Sequence, residues 1–347
     1  MPLTLEITLR DETLEEDAFQ IIKVVRPNWN PETVRSKLYT GGISNKLIGY
    51  YQDGKIGEDV VMIRMYGQNT ELMIDRKAEI DTMILLHGYG LGPELYAIFR
   101  NGICYEFIQG RILSMEDVRS PEVYPRVVAE MVKMHCDIPS NGLAGNHAEE
   151  AGMWNKIRTF DALVEEILQT NPTLVARLET FGFDVSPGFG TRAIKEMENI
   201  LKSQNMPITF CHNDLLLGNI IYDPNTSKVS FIDFEYAMPN YPAFDVANHF
   251  NEFAGIDNPD FDKCPDRAFK SKWIAEYLKG FKLEGVELSQ EKFEYWIELC
   301  QPASHLFWSL WAIVQAHNSK IDFDFAGYFG LRYIEYDKQM KEVRKFL

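Results

Sequence analysis

Leu3, Leu5, Ile7 and Leu9 alternate with polar neighbours, the period of a half-buried strand. Thr13 and Glu16 then have the spacing of a capping box for a helix to about Val25, and Asn30-Pro31 opens a short second helix. From Leu38 to about Tyr66 three strands are expected, turning at Gly41-Gly42-Ile43-Ser44-Asn45 and at Asp53-Gly54. Ile80, Met83, Ile84 and His87 recur at helical spacing behind a cap at Thr70, and strands over 95–99 and 103–108 follow, joined by the hairpin pair Asn101-Gly102. Three strands, a helix and a hairpin predict a small antiparallel-sheet lobe with one main helix, ending near Gly110. Beyond it the pattern is mainly helical: a helix over 120–136 whose start Pro125 delays, then helical text over 152–205 with breaks at Pro172 and Ser186-Pro187-Gly188 and no chemistry in it. Short strands are expected over 208–211, 220–222 and 229–232 before helices resume to the end. The longest uncharged stretch, 299–319, reaches membrane-span length, yet Pro302, Ser304, His305, Ser309, Gln315, His317 and Asn318 make it a buried amphipathic helix and not an integral membrane segment. The expectation is an α+β protein of two lobes, 1–110 (with an N-terminal extension over 1–30) and 111–347.

Length agrees, since 347 residues are a little over two units at roughly 150 residues per domain. Charge narrows the partners. With 35 basic against 51 acidic residues the chain carries −16, which repels phosphate backbones and anionic headgroups and speaks against nucleic acid. Five cysteines, Cys104, Cys136, Cys211, Cys264 and Cys300, are an odd number with no C-x-x-C pair, so a reducing, cytoplasmic compartment is expected and neither a disulfide framework nor a zinc site. The first residues lack a basic start followed by an apolar run, so no secretory signal is expected.

The most informative stretch is His212-Asn-Asp214-Leu-Leu-Leu-Gly-Asn219, followed by Asp233-Phe234-Glu235. An Asp and an Asn with four residues between them in a loop let one carboxylate meet a substrate hydroxyl while the Asn carbonyl turns back to a metal. Asp233 on the next hairpin would complete the oxygen shell of a hard cation, the layout of phosphoryl transfer. Upstream, Gly41-Gly42-x-Ser44-Asn45 lies between strands, where glycines let backbone N–H groups approach phosphate oxygens. Arg64 lies in an apolar strand on the face of Met62, so its charge needs a partner, and Glu79 on the following helix is the candidate. Such a pair presenting a guanidinium to nucleotide phosphates would act as the Lys–Glu pair does in protein kinases.

Seven ordered stretches resemble the choline/ethanolamine kinase family, most of all its ethanolamine kinases, within the protein-kinase-like fold. They are Thr-Gly-Gly-Ile-Ser-Asn-Lys-Leu-Ile-Gly (40–49), Arg64-Met-Tyr-Gly67, Cys-Tyr-Glu-Phe-Ile-Gln-Gly (104–110), His-Asn-Asp-Leu-Leu (212–216), Ile-Asp-Phe-Glu-Tyr (232–236), Phe-Asp-Val-Ala-Asn-His-Phe-Asn-Glu-Phe-Ala-Gly (244–255) and Phe-Trp-Ser-Leu-Trp (307–311). The resemblance implies a bilobal fold and ATP-dependent phosphorylation of a small amino alcohol, ethanolamine, with Mg2+. It implies Asp214 as catalytic base, Asn219 and Asp233 as magnesium ligands, and Arg64 with Glu79 as the phosphate-holding pair. Gly42, Ser44 and Asn45 would form the phosphate loop, Glu106, Phe107 and Ile108 the adenine hinge, and Asp245 a structural carboxylate bracing the catalytic loop.

Trp308 and Trp311 share a helix face, and the resemblance sets the amino alcohol beside them, with Asp214, Glu235, Glu252, Phe323 and Tyr328 completing the acceptor pocket. Ser309, Ala247 and Met238-Pro239 depart from the family's pattern without touching a catalytic group. Choline kinase is the nearest alternative, ahead of an aminoglycoside-type phosphotransferase or a catalytically dead scaffold, and a homodimer stays open.

Overall fold

A computed structural model describes residues 1–39, 45–54, 59–67, 73–140 and 148–346. The chain divides into two compact units, Met1–Arg111 with Ile221–Glu235, and Ile112–Ile220 with Tyr236–Leu347. The segment 221–235 thus groups with the first unit, whereas the sequence reading left it in the C-terminal lobe.

The first unit runs through β1 (Leu3–Leu5), α1 (Leu14–Val25), β2 (Val34–Tyr39), β3 (Asn45–Gln52), β4 (Val61–Tyr66), α2 (Arg76–Gly88), β5 (Leu95–Phe99) and β6 (Gly102–Glu106). Six strands form one sheet in the order β1-β5-β6-β4-β3-β2. It is not wholly antiparallel, because β1 pairs parallel to β5, Leu3 opposite Ala97. The apolar alternation outlasts β1, but Leu9 is held differently: its N–H donates to Asn101 Oδ1 (2.9 Å) and its carbonyl accepts from Asn101 Nδ2 (2.8 Å). A hairpin asparagine thus replaces a strand partner.

Ala18, Ile21 and Ile22, at the i, i+3, i+4 spacing of one helix face, bury α1 against Ile48, Val61, Ile63, Ala97 and Phe99 of the sheet. The expected capping box does not form. The Thr13 hydroxyl donates to Asp17 Oδ2 (2.7 Å), a carboxylate that Arg10 also holds (Nε, 3.0 Å), so it accepts no backbone N–H. Asn30 caps the short second helix, a 3-10 helix at Pro31–Thr33. Helix α2 starts at Arg76, capped by Asp75 accepting from the Ala78 N–H at 3.0 Å; Thr70, expected as its cap, lies outside the described residues.

After β7 (Arg111–Ile112) come α3 (Tyr124–Asp137), α4 (Met153–Thr170), α5 (Pro172–Glu179), α6 (Phe189–Lys202), β8 (Thr209–Cys211), β9 (Ile220–Asp223), β10 (Lys228–Phe231), β11 (Met238–Asn240), α7 (Pro242–Asn251), α8 (Arg267–Gly280), α9 (Gln290–Asn318) and α10 (Phe325–Phe346). The break expected at Pro172 is present: α4 ends at Thr170, and Pro172 opens α5, where its missing N–H costs nothing in a first turn and Asn171 caps the Leu174 N–H (3.0 Å). From Leu299 to Gln315 every residue of α9 is buried, so this stretch is not amphipathic. It is a central helix packed by α4, α6, α7, α8 and α10. Among the described residues no helix is long and apolar enough to cross a membrane.

Candidate active site

Strand β4 is buried on both faces, Met62 and Arg64 on one and Val61 and Ile63 on the other. A guanidinium there has to be paired. Arg64 Nη2 donates to Glu79 Oε1 on α2, and Arg64 Nη1 donates to Asp233 Oδ1 at 3.1 Å. Burial works against the Arg64 charge, and Asp233 leads the neighbours that outweigh it, leaving the pKa raised. Glu79, 3% exposed, gives its other oxygen to Arg76 Nη1 (2.9 Å), which also approaches Glu235 Oε2 (3.6 Å) and stacks 4.0 Å from the Tyr66 ring centre. Carboxylate oxygens of Glu79, Asp233 and Glu235 lie within 4.8 Å of one another. Asp233 adopts φ +64°, a left-handed conformation uncommon for a residue with a side chain, as befits a site whose surroundings fix its backbone.

In the second unit the loop after β8 hangs on Asp245 of α7, which is fully buried. Its Oδ2 accepts from the His212 N–H (2.8 Å) and its Oδ1 from the Asn213 N–H (2.7 Å). Burial alone would raise this carboxyl, but the hydrogen bond from His135 and further interactions with His135 and His212 hold it below the usual range. An ionised Asp245 requires the proton on His135 Nε2, 3.0 Å away, while Nδ1 meets the Tyr277 hydroxyl at 2.7 Å. Asn213, at φ +67°, donates from Nδ2 to the Tyr236 carbonyl (3.0 Å) and accepts from Asn240 Nδ2 (2.6 Å). Asp214 follows this anchored pair. Asn219 Nδ2 donates to the Asp214 carbonyl (2.8 Å) and reaches its Oδ2 (3.4 Å), which turns the Asn219 amide oxygen away as a hard ligand atom. Burial lowers His249 to about 4, so its ring is neutral and Nδ1 donates to the Leu215 carbonyl (2.9 Å), a packing role.

Trp308, Trp311, Phe323 and Tyr328 come together in one aromatic cluster. The two indoles meet edge to face (5.5 Å), Trp311 and Tyr328 lie 6.4 Å apart, and Phe323 and Tyr328 lie 5.8 Å apart. Trp308 Nε1 donates to Asn248 Oδ1 and Trp311 Nε1 to the Tyr236 hydroxyl, both at 2.8 Å, so each indole is fixed by a buried partner. Glu252 accepts from Arg332 Nη1 (2.8 Å), and both are buried. The carboxylate reserved for a substrate ammonium therefore already has a cation within the protein.

Gly42 and Ser44 lie outside the described residues, as does the Asn45 side chain. Glu106 closes β6, its carboxylate accepting from the Glu94 N–H (3.1 Å), and the Phe107 N–H donates to the Val60 carbonyl (3.2 Å); Ile108 follows without regular structure. His135, Asn213, Asn240, Asn248, Arg76 and Arg332 were not singled out from sequence. Asn213 and Asn248 lay inside quoted motifs, and Arg76 pairs locally with Glu79. His135, Asn240 and Arg332 are solitary polar residues whose partners are remote in the chain.

A strand-rich unit with a buried Arg–Glu pair and a helical unit with a carboxylate-braced Asp-x4-Asn loop define the class of kinase-like small-molecule phosphotransferases. The description "Choline/ethanolamine kinase" matches residues 37–337, and the chain belongs to that family. It is 38% identical to human "Ethanolamine kinase 1" over 98% of this chain and 75% of that protein. The Plasmodium vivax ethanolamine kinase structure superposes with TM-score 0.81 at 28% identity, covering 94% of this chain and 89% of the other. A Cryptosporidium parvum choline kinase structure shares the fold, with TM-score 0.73 at 22% identity over 95% and 96% of the two chains.

Proposed function

We propose that the protein transfers the γ-phosphoryl group of ATP to the hydroxyl of ethanolamine. The products are phosphoethanolamine and ADP, and the reaction opens phosphatidylethanolamine synthesis by the CDP-ethanolamine route. The observation that carries this is the loop held by both oxygens of Asp245, which fixes Asp214 with the Asn219 amide upon it, in a chain matching human "Ethanolamine kinase 1" over 98% of its length.

Asp214 accepts the hydroxyl proton as the alcohol oxygen bonds to the γ-phosphorus. The bond from that phosphorus to the β,γ-bridging oxygen breaks, ADP takes the electron pair, and the proton passes from Asp214 to solvent. Arg64 supplies positive charge to the nucleotide phosphates, and its Nε is buried with no hydrogen-bond partner among the described residues, a donor left for an anion. Glu79 orients it.

Asn219 and Asp233 are the assigned ligands of a hard divalent cation, both offering oxygen donors, and carboxylate oxygens of Glu79 and Glu235 lie within 4.8 Å of that of Asp233. Asn219 and Asp233 would hold a magnesium ion, which when bound would supply positive charge to the phosphate oxygens. The aromatic cluster around Trp308 and Trp311 holds the ammonium end. Five free cysteines, three of them buried, suit a reducing cytoplasm.

The test is ADP release with ethanolamine, its monomethyl and dimethyl derivatives and choline side by side. Ethanolamine is expected to show the highest kcat/KM. No increase in ADP release with any of the four would overturn the proposal.

A further inference from the structure

The second unit carries a pocket of about 310 Å3 framed by α8, α9, α10 and the turn at Phe261–Lys263, a volume at the lower end for small-molecule sites. Its floor is rigid, because Gln301 Nε2 donates to Asn251 Oδ1 (2.9 Å) while Asn251 Nδ2 donates to the Gln301 carbonyl (3.0 Å). On this floor stands Lys270, half-buried, its Nζ donating to Gln301 Oε1 (2.9 Å) and lying 5.8 Å from the Phe250 ring centre. Among the described residues no carboxylate comes within ion-pair distance of that ammonium. Burial pulls its pKa down, against the attraction of Cys264 and Glu298.

The opposite charge stands on the same wall. Glu335 is engaged by Lys338 (3.0 Å), but Glu298 lines the pocket without an ion pair among the described residues. Gln339, also in the lining, faces His305 Nε2 through its Nε2 (3.2 Å) and keeps a buried Oε1 with no hydrogen-bond partner among the described residues. A cation and an anion thus face one cavity without being joined. The complement of such a surface is a molecule that carries both charges.

We propose that this pocket binds a small zwitterion, its anionic group on Lys270 and its ammonium towards Glu298. The occupant is a phosphorylated amino alcohol of the kind the reaction makes, a choice that rests on the function proposed above. Binding here is a second event, separate from product leaving the acceptor pocket.

Equilibrium dialysis of the full chain with radiolabelled phosphoethanolamine tests it. Two molecules per chain are expected for the wild type and one for Lys270→Met, with Glu298→Gln weakening the second site at least fivefold. Both variants should keep kcat and KM for ethanolamine within twofold, and inorganic phosphate or ethanolamine alone should bind the second site at least tenfold more weakly. Equal stoichiometry in wild type and Lys270→Met, or equal affinity for inorganic phosphate, overturns the proposal. Should Lys270→Met fail to fold, Lys270→Gln and Glu298→Gln decide by the same readout. Ethanolamine turnover without a Lys270-dependent site refutes the pocket alone, whereas Lys270-dependent zwitterion binding without turnover refutes the kinase reading alone.

Discussion

Replacing Asp245 by Asn preserves the size of the side chain and removes one acceptor oxygen and the charge. In the native protein both oxygens are used, one by the His212 N–H (2.8 Å) with His135 (3.0 Å), the other by the Asn213 N–H (2.7 Å). Asparagine can keep one of these arrangements; its NH2 must then face a buried donor. A hydrogen bond to a charged acceptor contributes about 1.5–3 kcal/mol, and a buried donor left unsatisfied costs about 1–3 kcal/mol. The expected loss is roughly 3–5 kcal/mol of stability. The same change releases the segment that aims Asp214, and misplacing a catalytic group by about 1 Å costs on the order of 10² in rate. Urea unfolding and steady-state kinetics read the two effects separately. The kinetic signature is kcat down about 10²-fold with KM for ATP within threefold of wild type, since Arg64 and Glu79, the pair proposed to hold the nucleotide phosphates, belong to the other unit. A stability change under about 1 kcal/mol together with kcat within threefold would refute this account of Asp245.

Asp214→Ala should leave folding and ATP binding intact and lower turnover by about 10² to 10⁴ fold, checked by circular dichroism, nucleotide titration and ADP release. Glu79→Ala removes one carboxylate partner of Arg64 and one of Arg76, leaving Asp233 and Glu235, and should cost up to about 3–5 kcal/mol in urea unfolding. Arg64→Lys, which keeps charge but loses the planar fork, should chiefly raise KM for ATP. His249 sets a pH dependence: its folded pKa of about 4 lies below the unfolded value near 6.5, so the unfolded chain binds the proton first. Its contribution is intact above about pH 6.5 and is lost as pH falls towards 4, about 3 kcal/mol in all. His249→Gln should flatten the slope of unfolding free energy across that window; an unchanged slope would assign the acid sensitivity elsewhere.

Much of the first unit was legible because its signals are local. An apolar run marks β4, and Asn101-Gly102 marks the turn between β5 and β6. Signals that depend on distant partners were not legible. Thr13 and Glu16 have capping-box spacing, but Arg10 recruits Asp17 and the threonine hydroxyl follows it. Nothing in Leu3-Thr4-Leu5 says that its neighbour is β5 or that the pairing is parallel. Met238-Pro239-Asn240 neither alternates nor favours a ladder, yet pairs with β8 as an edge. For the site, residue types at motif spacing pointed to Arg64 with Glu79 and to the Asp214–Asn219 loop. The left-handed backbone at Asn213 and Asp233 carries no glycine to announce it. The Arg332 pairing of Glu252 joins residues 80 apart in the chain, a neutralised carboxylate where sequence offered a bare one.

With Glu252 neutralised by Arg332, the proposed recognition of the ammonium rests on the aromatic cluster, so substrate choice is the direct test of the central claim. Phosphoryl transfer from ATP should be followed with ethanolamine and choline, in the wild type and in Asp214→Ala. The account predicts one phosphoethanolamine per ADP, a higher kcat/KM for ethanolamine than for choline, and both activities lost together in Asp214→Ala. Equal or better efficiency with choline would contradict the substrate assignment, and ethanolamine-dependent ADP release that survives in Asp214→Ala would contradict the mechanism.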